Sequence, residues 1–288
     1  MNISIITASF PLDQQTYEEV GELLQTAYEA DGKHYEEVVK YALMPSYDVK
    51  GFVVIAYDDT TDKVVAIASA ADIIGFNTYE WSALVAPMYR SVGIGKLVIE
   101  ALREGLAKRY CEGELALVVK GEGKEQRFLQ RFGYHYSFSE AVLESPAVAA
   151  MPSYEMREYY NEQQDIVAIY AEAFGDLPEE AIELIAYSTE ADGCKLWVAY
   201  DGDEVVGTIT TTRQGNVQWI TALATKATAR GKGVASAMLA WAKYYTLHEG
   251  GTKVMIEVEM ENEEALSVYK KNHFLLSQQT DYYVRKLG

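Results

Sequence analysis

The chain has 288 residues, with 25 Lys and Arg against 43 Asp and Glu and a formal net charge of −18. At ~100–200 residues per domain the length favours two domains, and an apolar share of 49% is enough for packed cores. Two cysteines, Cys111 and Cys194, exclude a disulfide framework or a four-cysteine zinc site and fit a reducing cytoplasm; the acidic balance makes nucleic acid a poor partner, and no apolar run reaches the ~20 residues of a membrane helix.

The N-terminal MNISIITASFPLDQQ lacks the basic segment of a secretory signal. Within it ISIITAS predicts a strand, and TYEEVGELLQTAYEA shows helical spacing at Val20, Leu23, Leu24 and Ala27. Tyr35 to Leu43 predicts a second helix. GFVVIAY and VVAIASAADII read as strands joined by the turn DDTTDK. A strand, Trp81 to Val85, precedes a Gly-rich turn, and the amphipathic helix KLVIEALREGLAKRY follows it. The strand LALVV, the short helix KEQRFLQRFGY and a Phe-Gly-Tyr turn come next.

SPAVAAMPS, near 145–153, carries two prolines and no strand or helix period, so it marks a boundary. We divide the chain into domains 1–148 and 149–288. Split at 150, each half carries −9, so neither is an acidic tail. After the boundary the order repeats: YEMREY as a strand, QDIVAIYAEAFG as a helix ended by Gly175, then KLWVAY and EVVGTITTT as a hairpin around Asp201-Gly202-Asp203. Trp219 to Leu223, a Gly-rich turn, the helix ASAMLAWAKYYTLHEG, the strand KVMIEVEM and a short helix follow. LLSQQTDYYVRKL supplies closing strands. In AWAKYYTLHE the helical spacing of Ala240, Tyr244 and Leu247 predicts core filling. Tight turns between the early strands imply α/β (α+β) domains with mainly antiparallel sheets.

The two Gly-rich turns carry the chemistry. Arg90-Ser91-Val92-Gly93-Ile94-Gly95 and Arg230-Gly231-Lys232-Gly233-Val234-Ala235 stand 140 residues apart, each between a strand and a helix. Glycines there free backbone N–H groups at the positive end of a helix, an arrangement suited to a pyrophosphate. Lys96 or Lys232 adds charge. A tight turn packing strand on helix would use the same glycines, but two copies in matching context favour the anion site. Neither is a Walker loop, and neither opens a dinucleotide-binding βαβ unit.

Around these turns, LVAPMYRSVGIG and LATKATARGKGVA, the sequence resembles the GNAT superfamily of acyl-CoA-dependent N-acyltransferases. The run Asn262 to Phe274 is similar to the family's Asn-x-x-Ala-x-x-x-Tyr-x-x-x-Gly-Phe helix, with His273 in place of the Gly. The resemblance implies two tandem domains, each a twisted, mostly antiparallel sheet flanked by helices and open between its fourth and fifth strands, where acetyl-CoA would lie. It implies pantetheine contacts at Leu223, Ala224, Thr225 and Asn262, and pyrophosphate on residues 230–235. Val85 and the loop 90–95 are the corresponding places in the first domain.

By the same resemblance Tyr269 is the general acid for the leaving thiolate. The first copy has Leu129 at that position and Glu122 at that of Asn262, so it is expected to be non-catalytic. Glu80 in the first half and Glu257 or Glu259 in the second are candidate bases; the last two share a sheet face, which also suits simple solvation. The expected reaction is acetyl transfer to a primary amine of a small molecule or peptide, and the acidic second half mildly favours a cationic acceptor. A non-enzymatic acyl-CoA sensor or scaffold is the alternative, though it has no need of a proton donor. His34, His135, His248 and His273 show no metal spacing, and no metal is expected.

Overall fold

Short apolar strands joined by tight turns fold into antiparallel meanders, and each Gly-rich turn sends the chain across the sheet as a helix. The computed structural model describes residues 2–35, 39–40, 42, 49–73, 75–121, 123–149 and 151–285. The first half runs β1 (Ile3–Ser9), α1 (Gln14–Asp31), β2 (Lys50–Asp58), β3 (Lys63–Asp72), β4 (Thr78–Val85), α2 (Ile94–Ala107), β5 (Gly113–Val119), α3 (Lys124–Arg131) and β6 (Tyr134–Pro146). The second runs β7 (Glu155–Glu158), α4 (Gln163–Phe174), α5 (Pro178–Glu190), β8 (Cys194–Asp201), β9 (Glu204–Gln214), β10 (Val217–Thr225), α6 (Val234–His248), β11 (Lys253–Glu259), α7 (Glu263–Lys271) and β12 (Leu275–Arg285). The helix expected at Tyr35–Leu43 falls largely outside the described residues. Helix α5, which the sequence reading did not single out, starts on Pro178, and the Glu180 carboxylate accepts from the Leu177 amide at 2.8 Å.

The chain divides into two compact units, Met1–Ser139 with Gln278–Gly288, and Glu140–Ser277. The division differs from a cut at 148/149 because each half gives up its last strand. In the first unit β12 lies antiparallel on β5, from Thr280 opposite Val119 to Arg285 opposite Glu114. In the second unit the end of β6 lies on β11, from Glu140 opposite Glu259 to Pro146 opposite Lys253. A buried carboxylate anchors β12: Glu114 accepts from the Tyr134 hydroxyl through one oxygen and from the Arg285 guanidinium through the other. That accounts for both sides of a charge which would otherwise be costly to bury.

In the first unit β3 reads Lys-Val-Val-Ala-Ile-Ala-Ser-Ala-Ala-Asp and is buried on both faces after its first residue. One face meets Val98, Ile99, Leu102 and Leu106 of α2; the other meets Val20, Leu23 and Ala27 of α1. The second unit is sandwiched likewise, by Met238, Leu239 and Ala242 of α6 on one face and Ile166, Ile169 and Tyr170 of α4 on the other. Among the described residues β4 with β5 and β10 with β11 pair parallel, while β1–β2, β2–β3, β3–β4, β7–β8, β8–β9 and β9–β10 pair antiparallel. These two parallel pairs position the candidate site.

Candidate active site

Both parallel ladders are short. β4 pairs with β5 only from Thr78 to Trp81, and β10 with β11 only from Val217 to Ile220. Beyond these registers β4 continues to Val85 and β10 to Thr225, so the facing edges part and their backbone groups are available to a ligand. The opening between fourth and fifth strands is therefore present in both units.

The two openings differ at the strand. In the second unit the register of β10 against β9 slips between Thr221, opposite Thr210, and Ala224, opposite Thr208. Ala222 takes a left-handed φ of 46°, a conformation that costs an alanine about 1 kcal/mol or more. This bulge leaves one residue unpaired and turns amides around Ala222 and Leu223 out of the ladder. β4 shows no slip: Ala83, Leu84 and Val85 pair in step with Ala68, Ile67 and Ala66. After the bulge, Ala224 and Thr225 rejoin β9, and the buried Thr225 hydroxyl has no hydrogen-bond partner among the described residues. An orphaned buried hydroxyl at the mouth of the opening suits a polar ligand such as the amide-bearing arm of CoA. Val85 holds this place in the first unit.

The Gly-rich turns are near copies. Each starts from a 3₁₀ turn, Pro87–Tyr89 or Ala227–Ala229, and the arginine amide donates back to its first carbonyl at 3.3 Å. Positive φ follows at Ser91 (63°) and Gly93 (100°), and at Gly231 (75°) and Gly233 (89°). Gly93 and Gly233 are the N-caps of α2 and α6; the Lys96 amide turns back to the Gly93 carbonyl at 3.1 Å, and the first two amides of each helix have no intrahelical acceptor. The segments 90–95 and 230–235 thus share the backbone geometry of an anion site.

Their charges are not equivalent. Arg90 donates both terminal nitrogens to Asp31 of α1, at 2.8 and 2.6 Å, and its Nε to the Val85 carbonyl at 2.9 Å. The Tyr35 hydroxyl also donates to Asp31, and the Arg90 hydrogen bonds hold the Asp31 carboxyl below its usual range. Lys96 lies 3.6 Å from Glu100. In the second unit Arg230 reaches only the backbone carbonyl of Glu172, at 3.3 Å, and neither Arg230 nor Lys232 is ion-paired among the described residues. The loop arginine is thus paired with a carboxylate in the first unit and not in the second, where Lys226, just before the loop, is instead paired with Glu204 at 2.7 Å.

Tyr269 lies on α7, packed with Met238, Leu239, Leu266 and Phe274 and only 7% exposed. Its hydroxyl has no hydrogen-bond partner among the described residues, and burial alone pushes its pKa up to about 12. Asn262 is the N-cap of α7: its Oδ1 accepts from the Ala265 amide at 3.0 Å, which leaves its Nδ2 for a ligand. His273 takes the left-handed φ of 63° that Gly133 (85°) takes in the first unit. The turn therefore closes despite the missing Gly, with the Phe274 amide on the Tyr269 carbonyl at 3.0 Å. Leu129 is buried in the first core, and Glu122 lies outside the described residues. Glu257 and Glu259 are exposed on one face of β11, and Glu80 is half-buried on β4.

Sequence reasoning missed two features. The bulge has no residue signature, since Thr-Ala-Leu-Ala-Thr reads as ordinary strand. On α6 the inward positions include Ala242, Lys243 and Thr246, whereas Tyr244 is half-buried and Leu247 exposed, so the buried stripe is displaced from the one expected at Ala240, Tyr244 and Leu247. A lysine on that stripe is the signal that was overlooked. Cys111 and Cys194 are unpaired thiols. Among the described residues no three His, Cys, Asp or Glu side chains are grouped to hold a metal, and no helix is long and apolar enough to cross a membrane.

The family model of the acetyltransferase (GNAT) family matches the chain twice, over residues 17–134 and 154–274. The chain belongs to the GNAT acetyltransferase family, as two tandem copies of its α/β fold, and an acyltransferase is the class of activity this supports. Among solved structures it is similar to a GCN5-related N-acetyltransferase from Sphaerobacter thermophilus, at 18% identity and a TM-score of 0.77, over 98% of this chain and 95% of that one. It is also similar to a tandem GNAT protein from the clavulanic acid biosynthesis pathway, at 16% identity and a TM-score of 0.73, over 99% of both chains. A GNAT-family acetyltransferase from Colwellia psychrerythraea shares 13% identity at a TM-score of 0.61, over 99% of this chain and 100% of that one. No curated protein matches the chain.

Proposed function

We propose that the chain is an N-acetyltransferase that moves an acetyl group from acetyl-CoA to a primary amine of a small molecule or peptide, with the chemistry confined to its second domain. The observation that carries this is the coincidence in that unit of a bulge in the strand that leads to the Gly-rich loop, a loop arginine with no carboxylate partner among the described residues, and a tyrosine at the buried α7 position where the first unit has Leu129. A sensor of acyl-CoA would use the loop but has no use for the tyrosine.

Acetyl-CoA supplies an acyl group activated as a thioester. The first-turn amides of α6, with Arg230 and Lys232, hold the pyrophosphate; β10 from Leu223 to Thr225 and Asn262 Nδ2 hold the pantetheine arm. Amides freed by the bulge meet the charge that develops on the carbonyl oxygen. The neutral amine forms the new C–N bond and gives up a proton to solvent; as the C–S bond breaks, the Tyr269 hydroxyl gives its proton to the sulfur. With its pKa pushed to about 12, Tyr269 stays protonated throughout the neutral range. The gap to a thiol near ~8.5 corresponds to roughly 5 kcal/mol, so transfer must run in concert with departure of the sulfur.

The first domain, with Leu129 and a compensated loop, is proposed to be non-catalytic. Unpaired thiols suit a reducing compartment, and we place the protein in the cytoplasm. The test is release of free thiol from acetyl-CoA with a panel of primary amines, cationic ones included. Thiol release that depends on an intact second loop supports the assignment. Release abolished by Gly93→Pro but not by Gly233→Pro would reverse the roles of the two domains.

A further inference from the structure

Lys243 is the anomaly in the second unit: a lysine 6% exposed, on the inward face of α6, with no carboxylate partner. A buried ammonium is costly unless something takes its hydrogen bonds. Its Nζ donates to the backbone carbonyl of Asn272, the C-cap of α7, and lies 4.6 Å from the centre of the Phe274 ring. The last turn of a helix exposes carbonyls that lack donor partners and carry the negative end of its dipole, so a cation there satisfies both. Asn272 adds a second tie. Its Nδ2 donates to Ser236 Oγ at 2.9 Å and to the Val268 carbonyl at 2.9 Å. Ser236 lies in the first turn of α6, directly after the loop 230–235.

The end of α7 is therefore fastened to α6 at two points, one turn after Tyr269, while Phe274 packs against the Tyr269 ring with centroids 6.0 Å apart. In the first copy the residues 140 earlier are Lys96, Arg103 and Phe132; Phe132 has no side-chain donor for the second tie, no bond from Arg103 to the Phe132 carbonyl is present among the described residues, and that copy has Leu129 in place of the tyrosine. The fastening and the proton donor occur together.

We propose that Lys243 and Asn272 are positioning residues for acyl transfer, which fix the Tyr269 hydroxyl relative to the Gly-rich loop of α6. This rests on the reading of Tyr269 as the general acid. Small displacements of a catalytic group can cost on the order of 10²-fold.

The test compares Lys243→Met, which keeps the stem and removes the ammonium, and Asn272→Ala, which removes both side-chain ties at a half-buried site, alone and combined with Tyr269→Phe. Thiol release from acetyl-CoA gives kcat and KM, calorimetric titration gives the affinity for CoA, and hydrogen exchange reports the protection of residues 263–274. We expect each single variant to lower kcat by about 10–100-fold, to leave CoA affinity within about twofold, to loosen α7 in exchange, and to add no further loss in the Tyr269→Phe background. Unchanged protection of α7, or an equal loss of kcat with and without the phenol, overturns the proposal. Full turnover in Tyr269→Phe alone would instead remove the acid itself, and hydrogen exchange would still report separately on the fastening.

Discussion

The two Gly-rich loops differ in charge compensation, and Asp31→Asn tests what that difference does. Asp31 accepts both terminal nitrogens of Arg90 and so occupies the guanidinium with an internal anion. A ligand pyrophosphate at residues 90–95 must therefore displace that pair or do without the arginine. A hydrogen bond to a charged partner contributes about 1.5–3 kcal/mol. The Arg90 side chain is 38% exposed, so solvent screening argues for the low end. About 1.4 kcal/mol is a factor of ten in affinity. Calorimetric titration of the intact chain with CoA should accordingly show one strong site, lost in Gly233→Pro, with any site in the first unit at least about tenfold weaker. In Asp31→Asn the second-unit site should not change, while affinity at the first loop should rise about tenfold, most clearly in the Gly233→Pro background. Two sites of equal affinity in the unmodified chain would refute the idea that Asp31 closes the loop. So would a first-unit site that weakens in Asp31→Asn.

Tyr269→Phe should lower turnover about 10²–10⁴-fold with CoA affinity unchanged, because the ring remains; near-normal thiol release at neutral pH would take the phenol out of the mechanism. Because the Tyr269 pKa is raised to about 12 and its protonated form is the active one, its contribution is complete below that pH and lost only above it. The pH profile of kcat should thus rise as the acceptor amine loses its proton and show no descending limb between about pH 8 and 10 that Tyr269→Phe removes. His273→Gly should stabilise the chain by roughly 0.5–1 kcal/mol in urea denaturation, since the left-handed φ is costly for His and free for Gly, minus the extra unfolded entropy of Gly; a loss of stability would mean the His273 side chain holds the turn in a way its φ does not reveal.

Much of the fold and half of the site were legible in the sequence because they rest on local chemistry. The Gly-rich turns announce themselves, since positive φ at Gly93, Gly231 and Gly233 is a demand few other residues meet. The α7 motif is legible too: Asn262 as a cap three residues before Ala265, and Tyr269 one turn before the end. What escaped notice depends on residues far apart in sequence. The pairing of β12 with β5 turns on Glu114, Tyr134 and Arg285 meeting in one buried cluster, and nothing in LLSQQTDYYVRKL identifies its neighbour. The bulge in β10 is set by how its register meets β9 on one side and leaves β11 on the other, and alanine is a poor advertisement for a left-handed φ.

The same distinction explains how the two copies diverged without either losing its fold. In the proposed reading the Gly-rich turn serves twice, once to pass from strand to helix and once to bind an anion, and the first use alone requires its backbone even where Arg90 is paired with Asp31. The bulge and the α7 fastening have no such double duty. β4 pairs with β3 in continuous register, which satisfies every ladder position without a left-handed alanine. Likewise Leu129 fills its place in the first core with no polar atom to satisfy, where Tyr269 buries a ring and leaves a hydroxyl without a protein partner. The second unit carries all three features together: the strained Ala222, the buried Lys243 and the phenol of Tyr269. In the proposed reading the bulge at Ala222 supplies backbone donors, Tyr269 supplies the proton and Lys243 holds the helix that carries it, which is why the chemistry is assigned to that copy.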